Sequence, residues 1–188
     1  MAEKKEGKNG KAVKLVIDGK EVEAAEGTSV LVAARGVGIN IPTLCYNGRM
    51  EPYGACRMCM VEIETSWGRK RLVASCVYPV EEGLKVQTDT EKVRKIRKMI
   101  IELLWPSWQA YADEYGVTSS RFKTGMTDCS LCGLCVRYCA EVKKENRLYF
   151  KGRGIERQPA LVEGSELSCR ACGECFNLCG SGWVATRC

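Results

Sequence analysis

The feature that most limits this chain is a cysteine pattern that occurs twice. Cys129-x2-Cys132-x2-Cys135-x3-Cys139 is followed by Cys169-x2-Cys172-x2-Cys175-x3-Cys179. The runs form an internal repeat of about forty residues in period, which marks a separate C-terminal domain. Thirteen cysteines and no histidine occur among the 188 residues. Without histidine there is no imidazole general base, no Ser–His or Cys–His pair and no Cys2His2 finger. The start of the chain, Met1-Ala2-Glu3-Lys4-Lys5, has no apolar signal core, and no Asn-x-Ser/Thr sequon is present. A cytoplasmic protein is expected, in which thiols stay reduced and dense cysteines bind metal rather than form disulfides.

Three thiolates within seven residues can wrap one corner-sharing iron–sulfur cube, while the fourth cysteine of the run reaches away. In the bacterial two-cluster arrangement that fourth ligand serves the other cluster. Cys129, Cys132, Cys135 and Cys179 are therefore assigned to a first [4Fe–4S] cluster, and Cys139, Cys169, Cys172 and Cys175 to a second. Structural zinc is the alternative, but zinc ribbons and fingers bring two separated Cys pairs to a tetrahedron and do not crowd three ligands together. Proline usually follows the fourth cysteine of such runs; here Ala140 and Gly180 stand there.

Four more cysteines are spaced Cys45-x10-Cys56-x2-Cys59-x16-Cys76. Three ligands from one long loop and a fourth from beyond a hairpin suit a plant-type [2Fe–2S] cluster, although the first gap is longer than usual. Gly54 and Ala55 leave room for backbone N–H groups to reach the sulfurs, which favours the reduced cluster. The alternative is four buried structural cysteines. Cys188 is left without an assigned role, on what reads as a frayed end.

The rest of the chain supplies an α+β frame. Val13, Leu15 and Ile17 alternate, Asp18-Gly19 turns, and Lys20–Ala25 returns as a hairpin. Thr28 is the expected N-cap of a short helix, Ser29–Arg35, closed by Gly36. Strands are expected at Met60–Glu64, Arg71–Ser75 and Leu84–Thr88. A helix is expected over Thr90–Trp105, with Val93, Ile96, Ile100, Leu103 and Leu104 on its apolar face. Its other face carries Lys92, Arg94, Lys95, Arg97 and Lys98, read as solvated charge or as a dock for an acidic partner. Short strands are expected between Arg147 and Gly164. The expected domains are a flexible tail at 1–11, a [2Fe–2S] domain at 12–89, a helical linker at 90–125 and a two-[4Fe–4S] domain at 126–188.

Charge and hydropathy remove other classes. The longest apolar run, Val30–Ala34, is far too short to span a bilayer. The net charge of +6 counts every cysteine as neutral. Three oxidised clusters with their thiolates lower the sum by about 6, to near zero, so no nucleic-acid partner is expected. Gly180-Ser181-Gly182-Trp183-Val184-Ala185 imitates a dinucleotide fingerprint, but it follows a cluster ligand and leaves no room for a βαβ unit. No P-loop occurs.

Ile41-Pro42-Thr43-Leu44-Cys45-Tyr46, Gly54-Ala55-Cys56-Arg57-Met58-Cys59-Met60-Val61-Glu62 and Ser75-Cys76 resemble the N-terminal module of a known family. It comprises the iron–sulfur subunit of respiratory complex I, the diaphorase small subunit of NAD-reducing hydrogenases, electron-bifurcating [FeFe] hydrogenases and NAD(P)-dependent formate dehydrogenases. Cys129 to Cys139 and Cys172-Gly173-Glu174-Cys175 resemble the ferredoxin domain that follows there. The resemblance covers about residues 12–185 and implies a β-grasp fold for the [2Fe–2S] module. Family members usually insert a His-plus-three-Cys [4Fe–4S] domain after the long helix; Trp108–Met126 contains neither residue type. The hydrogen-activating or molybdenum domain of larger members is also missing from the sequence. Clusters pass single electrons and NAD(P)H delivers a hydride, so a flavin must divide the pair. The resemblance implies a partner subunit carrying FMN and the NAD(P)H site. A second partner would carry the terminal chemistry: hydrogenase, formate dehydrogenase or aldehyde oxidoreductase. On this reading the chain is a non-catalytic electron-transfer subunit. Electron bifurcation occurs in the family, but nothing in the sequence demands it. A free polyferredoxin and a zinc-stabilised interaction module are the alternatives.

Overall fold

The computed structural model describes residues 11–105, 108–122 and 129–187. Residues 1–10 of the expected tail, Cys188, and residues 106–107 and 123–128 lie outside them. The chain divides into two compact units: one runs to Gly48 and resumes over Pro52–Ile100, and the other comprises Arg49–Glu51 and the chain from Ile101 onward.

The first unit is a five-stranded mixed sheet with one short helix and the greater part of a longer one. Its strands are β1 (Ala12–Ile17), β2 (Lys20–Ala25), β3 (Met60–Glu64), β4 (Lys70–Ala74) and β5 (Lys85–Gln87), in the order β2-β1-β5-β3-β4. β1 and β5 run parallel and every other neighbouring pair is antiparallel. The alternation in β1 is real: Val13, Leu15 and Ile17 are buried while Ala12 and Lys14 are exposed, as the two-residue period of a one-sided strand requires. Asp18 and Gly19 both have positive φ, 49° and 81°, the backbone that a tight two-residue hairpin needs. The Asp18 carboxylate also accepts from Thr88, at 2.8 Å from its N–H and 2.6 Å from its hydroxyl.

Helix α1 (Val30–Gly36) buries Val30, Leu31, Ala33 and Ala34. These join Ile41, Val61, Ile63, Val80, Leu84 and Val86 in an aliphatic core. The cap is Ser29 rather than the expected Thr28: its hydroxyl accepts from the Val32 N–H at 3.4 Å. Gly36 lies inside the helix, and the left-handed residue beyond the end is Gly38, φ 78°.

Helix α2 (Glu91–Leu103) follows β5. Its buried positions are Val93, Arg97 and Ile101, four apart, together with Glu102, whereas Leu103 is exposed. The expected apolar face is therefore rotated, and Arg97, expected among the solvated charges, points inward. Lys92 and Arg94 do lie outside, paired with Glu62 at 2.9 Å and Asp89 at 2.9 Å.

The second unit contains short elements: α3 (Gln109–Tyr115), α4 (Leu134–Arg137), a π-helical turn at Tyr138–Val142, a hairpin of β6 (Leu148–Lys151) and β7 (Gln158–Leu161), α5 (Glu166–Cys172) and α6 (Trp183–Arg187). Its core combines Met50, Leu134, Tyr138, Leu148 and Val184 with Cys135, Cys139, Cys169 and Cys175. Among the described residues no helix is long and apolar enough to cross a membrane.

Candidate functional site

In the first unit, Cys45 and Cys56 lie on the long loop after α1, Cys59 directly precedes β3 and Cys76 follows β4. The antiparallel pairing of β3 with β4 sets Met60 opposite Ala74, and so draws together the two chain ends that carry Cys59 and Cys76. Ser75, fully buried, donates its hydroxyl to the Cys59 carbonyl at 2.8 Å. Its own carbonyl accepts from the Leu31 N–H at 3.0 Å, which ties the first turn of α1 to the same place.

The four thiols are gathered as two pairs. The hydrogen bond from Cys45 holds Cys56 down to about 6, and the bond from Cys76 holds Cys59 down to about 7. Their partners Cys45 and Cys76 are pushed up by those hydrogen bonds, with burial adding to the effect. Two adjacent thiol pairs are the donor set that two neighbouring iron atoms require, each iron taking two sulfurs. The backbone follows: Gly54 and Arg57 have φ of 63° and 61°, and the Cys56 N–H donates to Cys45 Sγ at 3.4 Å. A Cβ on Gly54 would stand 3.3 Å from the Val77 side chain, so the glycine meets both a left-handed backbone and a close neighbour.

Two cavities lie in the second unit. One is lined by Cys129, Cys132, Cys135 and Cys179 together with Gly180, Phe150, Pro159 and Trp183. The other is lined by Cys139, Cys169, Cys172 and Cys175 with Tyr138 and Leu148. Each cavity gathers three cysteines from one run and the last cysteine of the other. Burial pushes Cys135 up to about 12 and Cys175 to about 11, with neighbouring sulfurs adding to both. Backbone amides again face sulfur: Leu131 N–H to Cys129 Sγ at 3.4 Å, and Arg147 N–H to Cys139 Sγ at 3.2 Å. Leu131 and Asn146 hold positive φ, 53° and 51°, and such turns aim successive N–H groups at an anion. Gly133 and Gly173, each directly after the second cysteine of its run, are likewise left-handed, φ 76° and 56°.

Among the described residues, no three His, Cys, Asp or Glu side chains are gathered as a single metal ion needs. The cysteines fit iron–sulfur clusters by their chemistry, all sulfur and, in the second unit, grouped in fours around the two cavities, with backbone N–H groups facing sulfur.

Comparison with known proteins identifies the first of these sites. Residues 10–91 match the family described as a 2Fe-2S iron-sulfur cluster binding domain. The first unit carries a [2Fe–2S] domain. The chain is also 33% identical to the alpha subunit of the NADPH-Fe(3+) oxidoreductase of Geobacter sulfurreducens over 206 aligned residues, covering 93% of this chain and 24% of that protein. It is 31% identical to an NADH-quinone oxidoreductase subunit of Rickettsia typhi, covering 93% of this chain and 30% of that one. The chain thus spans about a quarter of the length of the curated relatives it matches. A solved structure of NAD+-reducing [NiFe]-hydrogenase in the H2-reduced state aligns with a TM-score of 0.71 and 28% identity, covering 81% of this chain and 76% of that one. The chain is similar to complex I and hydrogenase subunits, as its motifs imply. The 206 aligned residues outnumber the 188 of this chain, so that relative holds insertions with no counterpart here.

Sequence reasoning missed the residues that brace the [2Fe–2S] domain and its neighbour. Arg97, 3% exposed, donates from Nε to the Met58 carbonyl at 3.1 Å and from its terminal nitrogen to the Met60 carbonyl at 2.9 Å. Those carbonyls flank Cys59. The available signal was its register, four residues from both Val93 and Ile101. In the second unit Tyr138, between Cys135 and Cys139, lies beneath the Arg49 guanidinium, 5.0 Å from the ring centre, and donates to Glu174 at 3.1 Å. Glu174 also accepts from Lys143 at 2.5 Å. No local sequence signal joins residues so far apart.

Proposed function

We propose that this chain is a non-catalytic electron-transfer subunit of an NAD(P)H-linked oxidoreductase. It would hold one [2Fe–2S] and two [4Fe–4S] clusters. The observation that carries the reading is the sorting of twelve cysteines into three sets of four. Cys45, Cys56, Cys59 and Cys76 would hold the first; Cys129, Cys132, Cys135 and Cys179 the second; Cys139, Cys169, Cys172 and Cys175 the third. The relatives' names, NADPH-Fe(3+) and NADH-quinone oxidoreductase subunits, support the role within a complex.

The clusters would supply one-electron steps. The chain's part is to fix their spacing, exclude water and set potentials through N–H groups aimed at sulfur. We assign the [2Fe–2S] domain to the β-grasp fold and to residues 12–89, the helical linker to 90–125 and the two-[4Fe–4S] domain to 126–188. The partners of this cytoplasmic subunit would be a flavin-bearing NAD(P)H subunit and a catalytic oxidoreductase subunit; electron bifurcation is a property such a complex could add.

Anaerobic reconstitution with iron and sulfide counting tests the reading. Cys56→Ala should abolish the [2Fe–2S] EPR signal and spare the others. Cys139→Ala should damage the cluster whose other ligands begin at Cys169; damage confined to the Cys129 group would refute the crossed assignment. Zinc in place of iron, with no charge-transfer colour, would replace the reading with that of an interaction module. A chain that occurs only as a monomer in native extract would make it a free polyferredoxin.

A further inference from the structure

The two cysteine runs repeat one pattern, so positions at the same distance from the fourth cysteine are equivalent. Four residues past Cys139 stands Lys143, and four residues past Cys179 stands Trp183. Each lines the cavity of its own fourth cysteine. The repeat therefore sets a cationic side chain at one cavity where it sets an indole at the other.

The surroundings widen that difference. Besides Lys143, the Cys139 cavity is lined by Arg147 and Glu145, which pair with each other at 2.8 Å. Lys143 also bonds Glu174 at 2.5 Å, but Glu174 does not line the cavity. That hydrogen bond holds Lys143 up, and the Cys172 sulfur adds to the effect, which puts the ammonium within electrostatic reach of a proposed ligand. No charged residue lines the Cys129 cavity, whose walls include Leu134, Phe150, Pro159 and Trp183. Arg157 and Arg187 lie over the Phe150 and Trp183 rings, 4.2 and 6.0 Å from their centres, yet neither lines the cavity. Backbone amides face sulfur in both places, and the Ser181 hydroxyl lies 3.6 Å from Cys179 Sγ. These are neutral dipoles; full charge is what separates the two cavities. Reduction adds one negative charge to a cluster. A cation in the wall stabilises that charge, whereas an apolar wall that keeps water out makes it costlier.

We propose that Lys143 is a tuning residue that lifts the potential of the [4Fe–4S] cluster held by Cys139, Cys169, Cys172 and Cys175 above that of the cluster held by Cys129, Cys132, Cys135 and Cys179, where Trp183 takes its place. The inference rests on the cluster assignment made above. An electron given to the pair by a one-electron reductant then leaves the Cys129-group cluster, which is re-oxidised, and enters the other, which is reduced. No bond is made or broken and no proton moves.

The test is a stepwise dithionite titration of the anaerobically reconstituted full chain, followed by low-temperature EPR, with iron and sulfide counted on each sample. In the wild type, the first [4Fe–4S] signal to appear is the one whose line shape Cys172→Ser alters. Lys143→Gln lowers the midpoint potential of that cluster, and Lys143→Arg holds it. Glu174→Gln strips the carboxylate from Lys143 and raises it. Opposite shifts from two neutralising substitutions in one ion pair are the mark of charge rather than packing. An unchanged potential in Lys143→Gln overturns the proposal, and so do shifts of the same sign in Lys143→Gln and Glu174→Gln. Should Lys143→Gln lose the cluster, Glu174→Gln and the wild-type order of reduction decide. A first signal that answers to Cys132→Ser instead sinks the idea. Failure of the underlying assignment looks different: the wild-type chain itself would carry too little iron for two [4Fe–4S] clusters.

Discussion

The two units bury different kinds of atoms. The first is built on Leu15, Ile17, Val30, Leu31, Ile41, Val61, Ile63, Leu84 and Val86, with Cys59 and Cys76 at its margin. In the second, four of nine core residues are cysteines, beside Met50, Leu134, Tyr138, Leu148 and Val184. Aliphatic burial stabilises by about 25 cal/mol for each Å² removed from water whatever the metal content. A core nearly half made of thiols has less of that term and, on the proposed reading, would depend on what fills the space between them. The lesson is that an iron–sulfur protein can treat its cofactor either as cargo in a finished fold or as the centre of the fold itself.

Removing iron is the strongest way to break this comparison. Anaerobic chelation should abolish slow amide exchange across β6, β7 and α5 while β1, β3 and α1 keep theirs, read by hydrogen-exchange mass spectrometry. Equal protection in both units after chelation would show that the second core is self-sufficient. The converse test truncates Leu31, which has no exposed surface. Leu31→Ala should cost the first unit about 2–5 kcal/mol in urea unfolding and leave the [4Fe–4S] EPR signals unchanged. A cost below about 1 kcal/mol would mean that the [2Fe–2S] cluster, not the aliphatic layer, holds this unit together.

Arg97 sharpens the comparison, because it is where the finished fold reaches toward its cargo. Its two donations to the Met58 and Met60 carbonyls leave two acceptors stranded when the side chain is cut back. Arg97→Ala should cost about 2 kcal/mol or more and alter the [2Fe–2S] EPR line shape, with Arg97→Lys restoring part of both. An unaltered line shape would confine Arg97 to structural support.

What the sequence revealed follows the range of each interaction. β3 was legible to the residue because Val61 and Ile63 alternate with Met60, Glu62 and Glu64 against one core face, a local period. The cysteine foursomes in the second unit are an expectation from spacing and the two-cluster arrangement, each run closing its own three-ligand turn, and the two cavities are lined by the same residues. The shift of the α1 cap from Thr28 to Ser29 is a one-residue ambiguity between two competent hydroxyls, decided by which one reaches the Val32 N–H. Arg97 and Trp108 were illegible for a different reason. An arginine among lysines reads as surface charge until β3 supplies carbonyls to satisfy it, and a tryptophan in a connecting segment has no period to betray its neighbour Gly180.

The smallest expected effect lies on the outer face of the first unit, where charge rather than burial is at work. Lys92 bonds Glu62 at 2.9 Å, with Lys92 two-thirds exposed. The Lys92 hydrogen bond holds the Glu62 carboxyl below its ordinary 4.5. A carboxyl depressed in the folded state stabilises fully above its unfolded value and ceases to as the pH falls through its folded one. Lys92→Ala should therefore cost about 0.5 kcal/mol or less at neutral pH, and the difference from wild type should shrink as the pH is taken below 4.5 or the salt is raised. Urea unfolding of the first unit at two pH values reads it directly. A loss as large as that of Leu31→Ala, or one indifferent to pH and salt, would mean that the rim of this unit is held by something other than ion pairing, and the contrast between a self-sufficient core and its charged surface would have to be redrawn.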